Sequence, residues 1–534
     1  MSDKEVKDID NTPKEKKGFR FWAVIASLLL STFLAALDIT ALSTSQPTIA
    51  RSLDSNDFTW MASAYALGST AIVPWSANIS AIFGRRIVLL LAILVFSVGS
   101  ILCGVAHDMP LFIAGRGLQG VGAGMILVLV EIILSDLVPL KERGAYQGAF
   151  GSTWALASAI GPIIGAALAS ANWRWIFWLN LFVAGPVLAA VFFFLKVKTP
   201  EGTFMEKLRK MDIIGNIWFI ISITLFAVGL TYGGNTYPWS DAHTLAPLII
   251  GAVGLVGWLG LERYLTNTSV PWEILSNRTS LLGYLSTFLH SLIVIAIFLY
   301  WPAWLQGVKG QSPIGSSVAF FPVTFLVAPS AVVAGGSIDA TGKYRLQNWV
   351  AWVLLTVGSG LISMANVDSS RSFYLGIVVP LSLGLGLLFA ATTFPVLAPL
   401  PPHLAGHALS FLIFTRNLGN LIGNTVASVA LTNELSRKLP QQFVQMLPDG
   451  IPSAFSALTE LKTLPEPLGS QVRSAYSDSF RTIWYVCIGF AGVGFIASLF
   501  IQHYDLHAEK DETYALKKSK KQRDAEQQAP ETAA

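Results

Sequence analysis

Asp38 stands inside an apolar run that opens at Phe21, and Arg116 stands inside another. A carboxylate in the hydrocarbon of a membrane costs at least a few kcal/mol unless it is paired, solvated by a cavity or protonated. Counted at 1.5 Å per residue along one span that crosses and a fourth that returns, the two residues reach the same depth, about one to two turns below the surface away from the chain ends. They can therefore pair. Two readings follow: a permanent ion pair that orders the bundle, or a pair broken and remade by protonation, because a carboxylate responds both to burial and to a nearby guanidinium. Gln119 and Glu131 share the span of Arg116, and His290 and Arg416 interrupt later apolar runs. These four are candidate cavity or substrate contacts. Glu131 can line a cavity or snorkel to the headgroups, and a histidine such as His290 is more often a hydrogen-bonded packing residue than a proton relay. No cluster of His, Asp or Ser gathers at one membrane face as catalysis requires, no metal-ligand spacing is seen, and no Gly-x-x-x-x-Gly-Lys-Ser/Thr loop is present to bind ATP. Neither an enzyme nor a bound cofactor is expected.

The elements that must hold these residues are rich in glycine. The stretch Arg116-Gly117-Leu118-Gln119-Gly120-Val121-Gly122-Ala123-Gly124 carries four glycines, and Gly120 and Gly124 form one Gly-x-x-x-Gly pair. Two further stretches copy one another far apart in the chain: Ile160 to Ser170, with Gly161, Pro162 and Gly165, and Leu418 to Ser428, with Gly419 and Gly423. Small residues at this spacing let membrane helices approach closely, and Pro162 removes a backbone hydrogen bond so that its helix can bend. A repeated pair points to a duplicated bundle, the construction of secondary carriers that rock about a central site.

The composition agrees. The chain has 534 residues, a mean hydropathy of +0.57, 53% hydrophobic and 13% charged residues, where soluble domains carry roughly 25% charged residues. Continuous apolar runs recur from Phe21 to Gln502, enough for about 14 helical spans of roughly 18 to 25 residues, and their lack of alternation excludes a barrel. An even count puts both tails on one side. Arg85, Arg86, Lys141, Arg143, Lys196 to Lys210, Arg263, Arg278, Lys343 and Arg345 fall in alternate loops on that side, which makes it the cytoplasm. The net charge of +4 sits in tails and loops and implies no nucleic-acid partner. The spans divide into a tail over 1–20, a first bundle over 21–195, a linker with two spans over 196–279, a second bundle over 280–503 containing a long external loop over 432–482, and a basic tail over 504–534. The first 20 residues mix acids and bases and carry no cleavable signal. Lys517, Lys518, Lys520, Lys521 and Arg523 form a basic cluster whose simplest reading is a solvated tail. Asn267 and Asn277 match the glycosylation triplet on the cytoplasmic side and are chance matches. Cys103 and Cys487 lie in apolar runs, where no structural disulfide is expected.

Five stretches carry a family resemblance: Leu37-Asp38-Ile39-Thr40 with Gln46-Pro47-Thr48-Ile49-Ala50; Trp60 with Tyr65 and Leu67; the Arg116 to Gly124 run; Gly161-Pro162-x-x-Gly165; and Trp173-Arg174-Trp175-Ile176-Phe177-Trp178-Leu179-Asn180. With them the chain resembles the major facilitator superfamily, and within it the 14-span drug:H⁺ antiporter group common in fungi. The resemblance implies an all-α polytopic membrane protein of two six-helix bundles plus two extra linker helices. It implies proton-coupled export of a small amphiphilic or hydrophobic molecule, such as a secondary metabolite, toxin, glycolipid or drug, by a monomer in the plasma membrane that uses the proton gradient and no cofactor. The alternative on the same scaffold is an uptake or vacuolar permease for an amino acid, siderophore or organic acid, and a non-transporting sensor is a third. Asp38 and Arg116 are the implied proton-coupling residues. The implied cytoplasmic gate comprises Gly84, Arg85, Arg86, Asp339 and Gly342. The family's loop Gly-x-Leu-Ala-Asp-Arg-x-Gly-Arg-Lys reads Ala77 to Arg86 here, with Ala81 at the Asp position, whereas a second copy, Gly335 to Lys343, keeps its Asp as Asp339.

Overall fold

A computed structural model describes residues 17–42, 45–53, 58–234, 237–265, 268–447, 450–451, 454–506 and 514. The expected positions at Asn267 and in the basic cluster from Lys517 to Arg523 lie outside these. The described chain contains fourteen long helices: α1 (Phe19–Leu42), α2 (Phe58–Phe83), α3 (Arg85–Val105), α4 (Met109–Leu137), α5 (Gly144–Asn172), α6 (Arg174–Phe194), α7 (Ile213–Tyr232), α8 (Ala242–Glu262), α9 (Arg278–Gly307), α10 (Phe321–Thr341), α11 (Arg345–Ile362), α12 (Arg371–Leu397, with brief irregularities), α13 (Ala405–Lys438) and α14 (Leu468–Leu499). Twelve are long and apolar enough to cross a membrane. The other two, α11 and α13, are less apolar for a visible reason. Arg345, Gln347 and Asn348 open α11, and Arg416, Asn417, Asn420 and Asn424 are spaced along α13.

Local chemistry sets the boundaries. Asp108 accepts from the Leu111 amide to cap α4 (2.8 Å), and Asp212 and Asp241 start α7 and α8 in the same way. Asn277, one of the glycosylation matches, is the cap of α9 and accepts from the Thr279 amide at 2.8 Å. Such caps satisfy amides that a helix leaves unpaired at its start. The α2–α3 and α10–α11 joints pass through Gly84 and Gly342 at φ of +97° and +66°, a region that only glycine enters without cost.

Helices α1–α6 and α9–α14 form the two halves. Gly161 and Gly165 of α5 lie so close to Thr40 and Ala41 of α1 that a methyl group on either would collide, and Gly419 and Gly423 of α13 stand likewise against Phe288, Ser291 and Leu292 of α9. The copied glycine pairs thus make equivalent contacts. Helices α7 and α8 pack on one another, and Phe219 of α7 sets its ring 5.4 Å from that of Phe414 in α13. The halves meet along α5–α10 and α2–α13. Exposed apolar side chains such as Leu91, Leu94 and Val98 on α3 and Val253 and Val256 on α8 suit the outer wall to lipid.

Both ends of the described chain tie to one face, called here the terminal face. Lys17 pairs with Glu142 at 2.7 Å before α5, Arg20 donates to the Lys196 carbonyl at 2.8 Å, and Tyr344 donates to the Gln502 carbonyl at 2.9 Å. The tail expected over 1–20 therefore gives way to α1 from Phe19. Within the segment expected to be external, 432–482, helix reaches in from both ends. Helix α13 runs on to Lys438 and α14 begins at Leu468, because Leu431, Leu435, Val472 and Ala475 keep buried stripes on both helices beyond their apolar cores. What remains docks on the second half, where Tyr476 donates to the Ala454 carbonyl at 2.7 Å and Leu461 is fully buried.

Candidate functional site

Helix α1 brings Asp38 to a point enclosed by α2, α3, α4 and α6. Arg116 Nη1 donates to Asp38 Oδ2 at 2.6 Å. The other carboxylate oxygen, Oδ1, accepts from Gln119 Nε2 at 2.9 Å and from Asn180 Nδ2 at 2.6 Å. Gln119 also accepts from Arg116 at 2.7 Å and donates to Ser100 Oγ at 2.7 Å. Arg116 Nε donates to the Met61 carbonyl at 3.1 Å, and the Tyr65 ring lies 4.4 Å from its guanidinium carbon. Asp38 and Arg116 are each 1% exposed. Charges so enclosed are tolerable only when attraction and hydrogen bonds repay desolvation, and removing one partner costs about 3 to 5 kcal/mol because the other is left uncompensated. The pairing expected from equal depth is present.

Gln119, expected as a cavity contact, belongs to this sealed network instead. It follows Arg116 by three residues, so both emerge on one side of α4. Asn180, Ser100 and the Met61 carbonyl complete the network. Asn180 had a signal of its own, since a buried amide in an apolar run is costly for the same reason as a carboxylate. Tyr65 Oη is buried without a hydrogen-bond partner among the described residues. Gly120 and Gly124 make the enclosure possible: they let α4 lie against the α2 backbone at Tyr65 and Ser69, where side chains would collide.

A second group lies at the seam between the halves. Glu131 of α4 accepts from Gln147 Nε2 of α5 at 2.6 Å. Arg416 of α13 stacks on Phe389 of α12, 4.9 Å from the ring centre, and Asn417 donates to Ser69 of α2 at 3.2 Å. His290 is 3% exposed, with Nε2 3.0 Å from the Leu385 carbonyl. It is a packing residue of the second half, in place of the cavity contact it was grouped with.

The third group closes the terminal face. Asp339 of α10 accepts from the first two amides of α5, Gly144 and Ala145, both at 2.8 Å, where a helix start favours negative charge. Beside it the Gly335 and Gly144 backbones touch. On the opposite seam Ala81 has no carboxylate to offer, and other contacts serve. Arg85 Nε pairs with Asp136 at 3.0 Å, its Nη1 donates to Ser80 Oγ at 2.7 Å, and Tyr514 lays its ring 4.0 Å from the guanidinium carbon. Ser410 of α13 donates to the Val73 carbonyl of α2 at 2.6 Å. Arg86 leaves this group. It donates to the Phe192 carbonyl of α6 within the first half, because adjacent helical residues point about 100° apart. Both cysteines are free and buried.

Comparison with known proteins follows the same outline. The family model described as Major Facilitator Superfamily matches residues 28–424. The chain is 36% identical over 518 residues to the efflux pump FUS6 of Gibberella fujikuroi, covering 95% of this chain and 93% of that one. It is 35% identical over 532 residues to the MFS-type efflux pump LUC4 of a Fusarium species, covering 97% and 94%. Among solved structures, that of the proton:xylose symporter XylE bound to 6-bromo-6-deoxy-D-glucose is similar, with a TM-score of 0.57, 12% identity and coverage of 91% of this chain and 97% of that one. At that identity the likeness is one of fold.

Proposed function

Because the chain belongs to the major facilitator superfamily, a family of membrane transporters and not of enzymes, we propose that it exports a small amphiphilic or hydrophobic molecule, such as a secondary metabolite, in exchange for protons. The observation that carries this reading is the carboxylate of Asp38, sealed among Arg116, Gln119 and Asn180 within a membrane bundle. The names of the fungal efflux pumps give the direction. No cofactor is invoked, since the proton gradient supplies the work.

The proposed coupling runs through backbone contacts. Protonation of Asp38 removes the charge that holds Arg116 and turns one of its oxygens from acceptor to donor. Two residues on, Thr40 Oγ1 reaches the Ala157 carbonyl at 3.1 Å and lies against Gly161, so a shift of α1 is felt directly by α5. Helix α5 in turn begins at the amides held by Asp339. Loss of the Asp38 charge thereby loosens the terminal-face closure. With the tails in the cytoplasm, as the basic loops favour, this arrangement is closed inward, and the protein works as a monomer in the plasma membrane.

The test is reconstitution. Vesicles given a pH gradient should concentrate a transported probe against its own gradient, and a protonophore should abolish the accumulation at unchanged passive leak. Accumulation that persists with the gradient collapsed would remove proton coupling, and impermeant labelling of a cysteine placed at Met205 on intact cells would overturn the orientation.

A further inference from the structure

Arg416 differs from the buried arginines of this bundle. Arg116 is met by Asp38, Arg85 by Asp136, and Arg143 by the carbonyls of Ser135 and Val138. Among the described residues Arg416 makes no hydrogen bond and no ion pair, and its Nε is shut away without an acceptor. It stands eleven residues after Ala405, about 16 Å into the bundle at 1.5 Å per residue. A guanidinium offers five N–H donors, and one left unmet at such depth is costly enough to mark a functional place.

Its neighbours put it between the two halves. Phe389, on which it stacks, also faces Gly151 of α5, where a methyl group would lie 3.0 Å from the ring. The next residue, Asn417, reaches across to Ser69 of the first half. Arg416 therefore sits at the seam itself, and it is partly exposed where Arg116 is sealed. Glu131 acts on it electrostatically from α4. Yet that carboxylate is engaged by Gln147 at 2.6 Å and stands beyond ion-pair distance. The cation is held in place by a ring, with its donors still to be used.

We propose that Arg416, backed by Phe389, receives an anionic group of the transported molecule, so that the cargo is an amphiphile bearing a carboxylate or a comparably acidic oxygen on an apolar body. The planar fork suits a carboxylate, which can accept two parallel N–H bonds. The Phe389 ring packs against the guanidinium carbon and consumes none of its N–H donors. This inference rests on the transport reading above and narrows its substrate class.

Purified protein in nanodiscs would be heated with each of four probes: fluorescein and 1-naphthaleneacetate as anions, rhodamine 123 and 1-naphthalenemethylamine as cations. The anions should raise the unfolding temperature of the wild type and the cations should not. Arg416→Gln should weaken anion binding by about tenfold or more, the loss of a hydrogen bond to a charged group. Arg416→Lys should weaken it less and keep the preference for anions, and it serves alone where the Gln variant has no folded transition. A wild type that favours the cations or ignores the anions overturns the proposal, as do variants that bind the anions like the wild type, the result expected of a purely structural arginine. Flux of the same probes is measured separately in vesicles. A protein that binds the anions by way of Arg416 yet moves none of the four would count against transport and leave the anion seat standing.

Discussion

The two halves share a helix order and a glycine contact, yet they bury opposite chemistry. Gly161 and Gly165 fit against Thr40 and Ala41, and Gly419 and Gly423 fit against Ser291 and Leu292. Aligned on these contacts, the place of Asp38 in α1 is taken in α9 by Leu289, a buried residue of the second apolar core. Farther along α9, Trp301 and Trp304 stack 4.8 Å apart at 5°, with Trp484 5.9 Å from Trp301. At this level the first half thus holds a carboxylate paired with an arginine, while the second holds Leu289 beside His290, whose ring is tied to the Leu385 carbonyl of its own half. On the proposed mechanism, the Asp38 side is where a proton acts and the second half is the partner against which the response becomes movement.

The comparison is broken most directly by Asp38→Asn. Proton-driven accumulation in vesicles, compared at equal amounts of folded protein, should fall by about a hundredfold or more, and the unfolding temperature should drop as well because Arg116 is left uncompensated. Undiminished accumulation would mean that the first half is not the responsive one. Arg116 gives the next largest effect. Arg116→Ala should transport poorly and respond weakly to pH, while Arg116→Lys should keep part of the activity, within about tenfold of wild type, because a point charge survives the loss of the fork. The coupling is measured by a double-mutant cycle with Asp38→Asn on substrate affinity, and simple additivity would separate the two residues.

Smaller effects sharpen the contrast. Asp339→Asn weakens the charge at the start of α5 by about 0.3 to 1 kcal/mol, which should make a cysteine placed near the terminal-face seam react only severalfold faster. Trp301→Ala should change coupling least. It should cost about 3 to 5 kcal/mol in stability, read as a lower unfolding temperature in detergent, while the pH response of the surviving protein stays within about twofold of wild type. A changed pH response in that variant would show that the second half takes part in proton sensing.

The sequence reveals these features unevenly, for physical reasons. Membrane helices are legible because hydrocarbon demands long apolar runs, and the Asp38–Arg116 pair is legible because depth follows from counting residues. Counting yields level and not azimuth. Depth alone does not reveal that Gln119, three residues after Arg116, turns toward Asp38, or that Arg85 and Arg86 diverge around one helix. Hydropathy bounds the 432–482 segment by where the membrane stops, not by where the helices end. Helix α13 continues past that point on leucines that dock against protein. Asn180, named only within a family stretch, and Ser100 do not stand out in the sequence, because single amides and hydroxyls are common in such spans; their convergence with Gln119 around Asp38 is what sets them apart.

The contact between Gly144 and Gly335 has a consequence for the temperature dependence of the cycle. Most protein surfaces that close upon each other freeze side-chain rotamers, at up to about 2 kcal/mol for each long side chain. Here peptide meets peptide at a point where neither residue has a side chain to immobilise. Shutting this part of the seam therefore loses no rotamer entropy, and opening it recovers none. What holds this part of the seam shut is therefore enthalpic, chiefly the two Asp339 hydrogen bonds beside it.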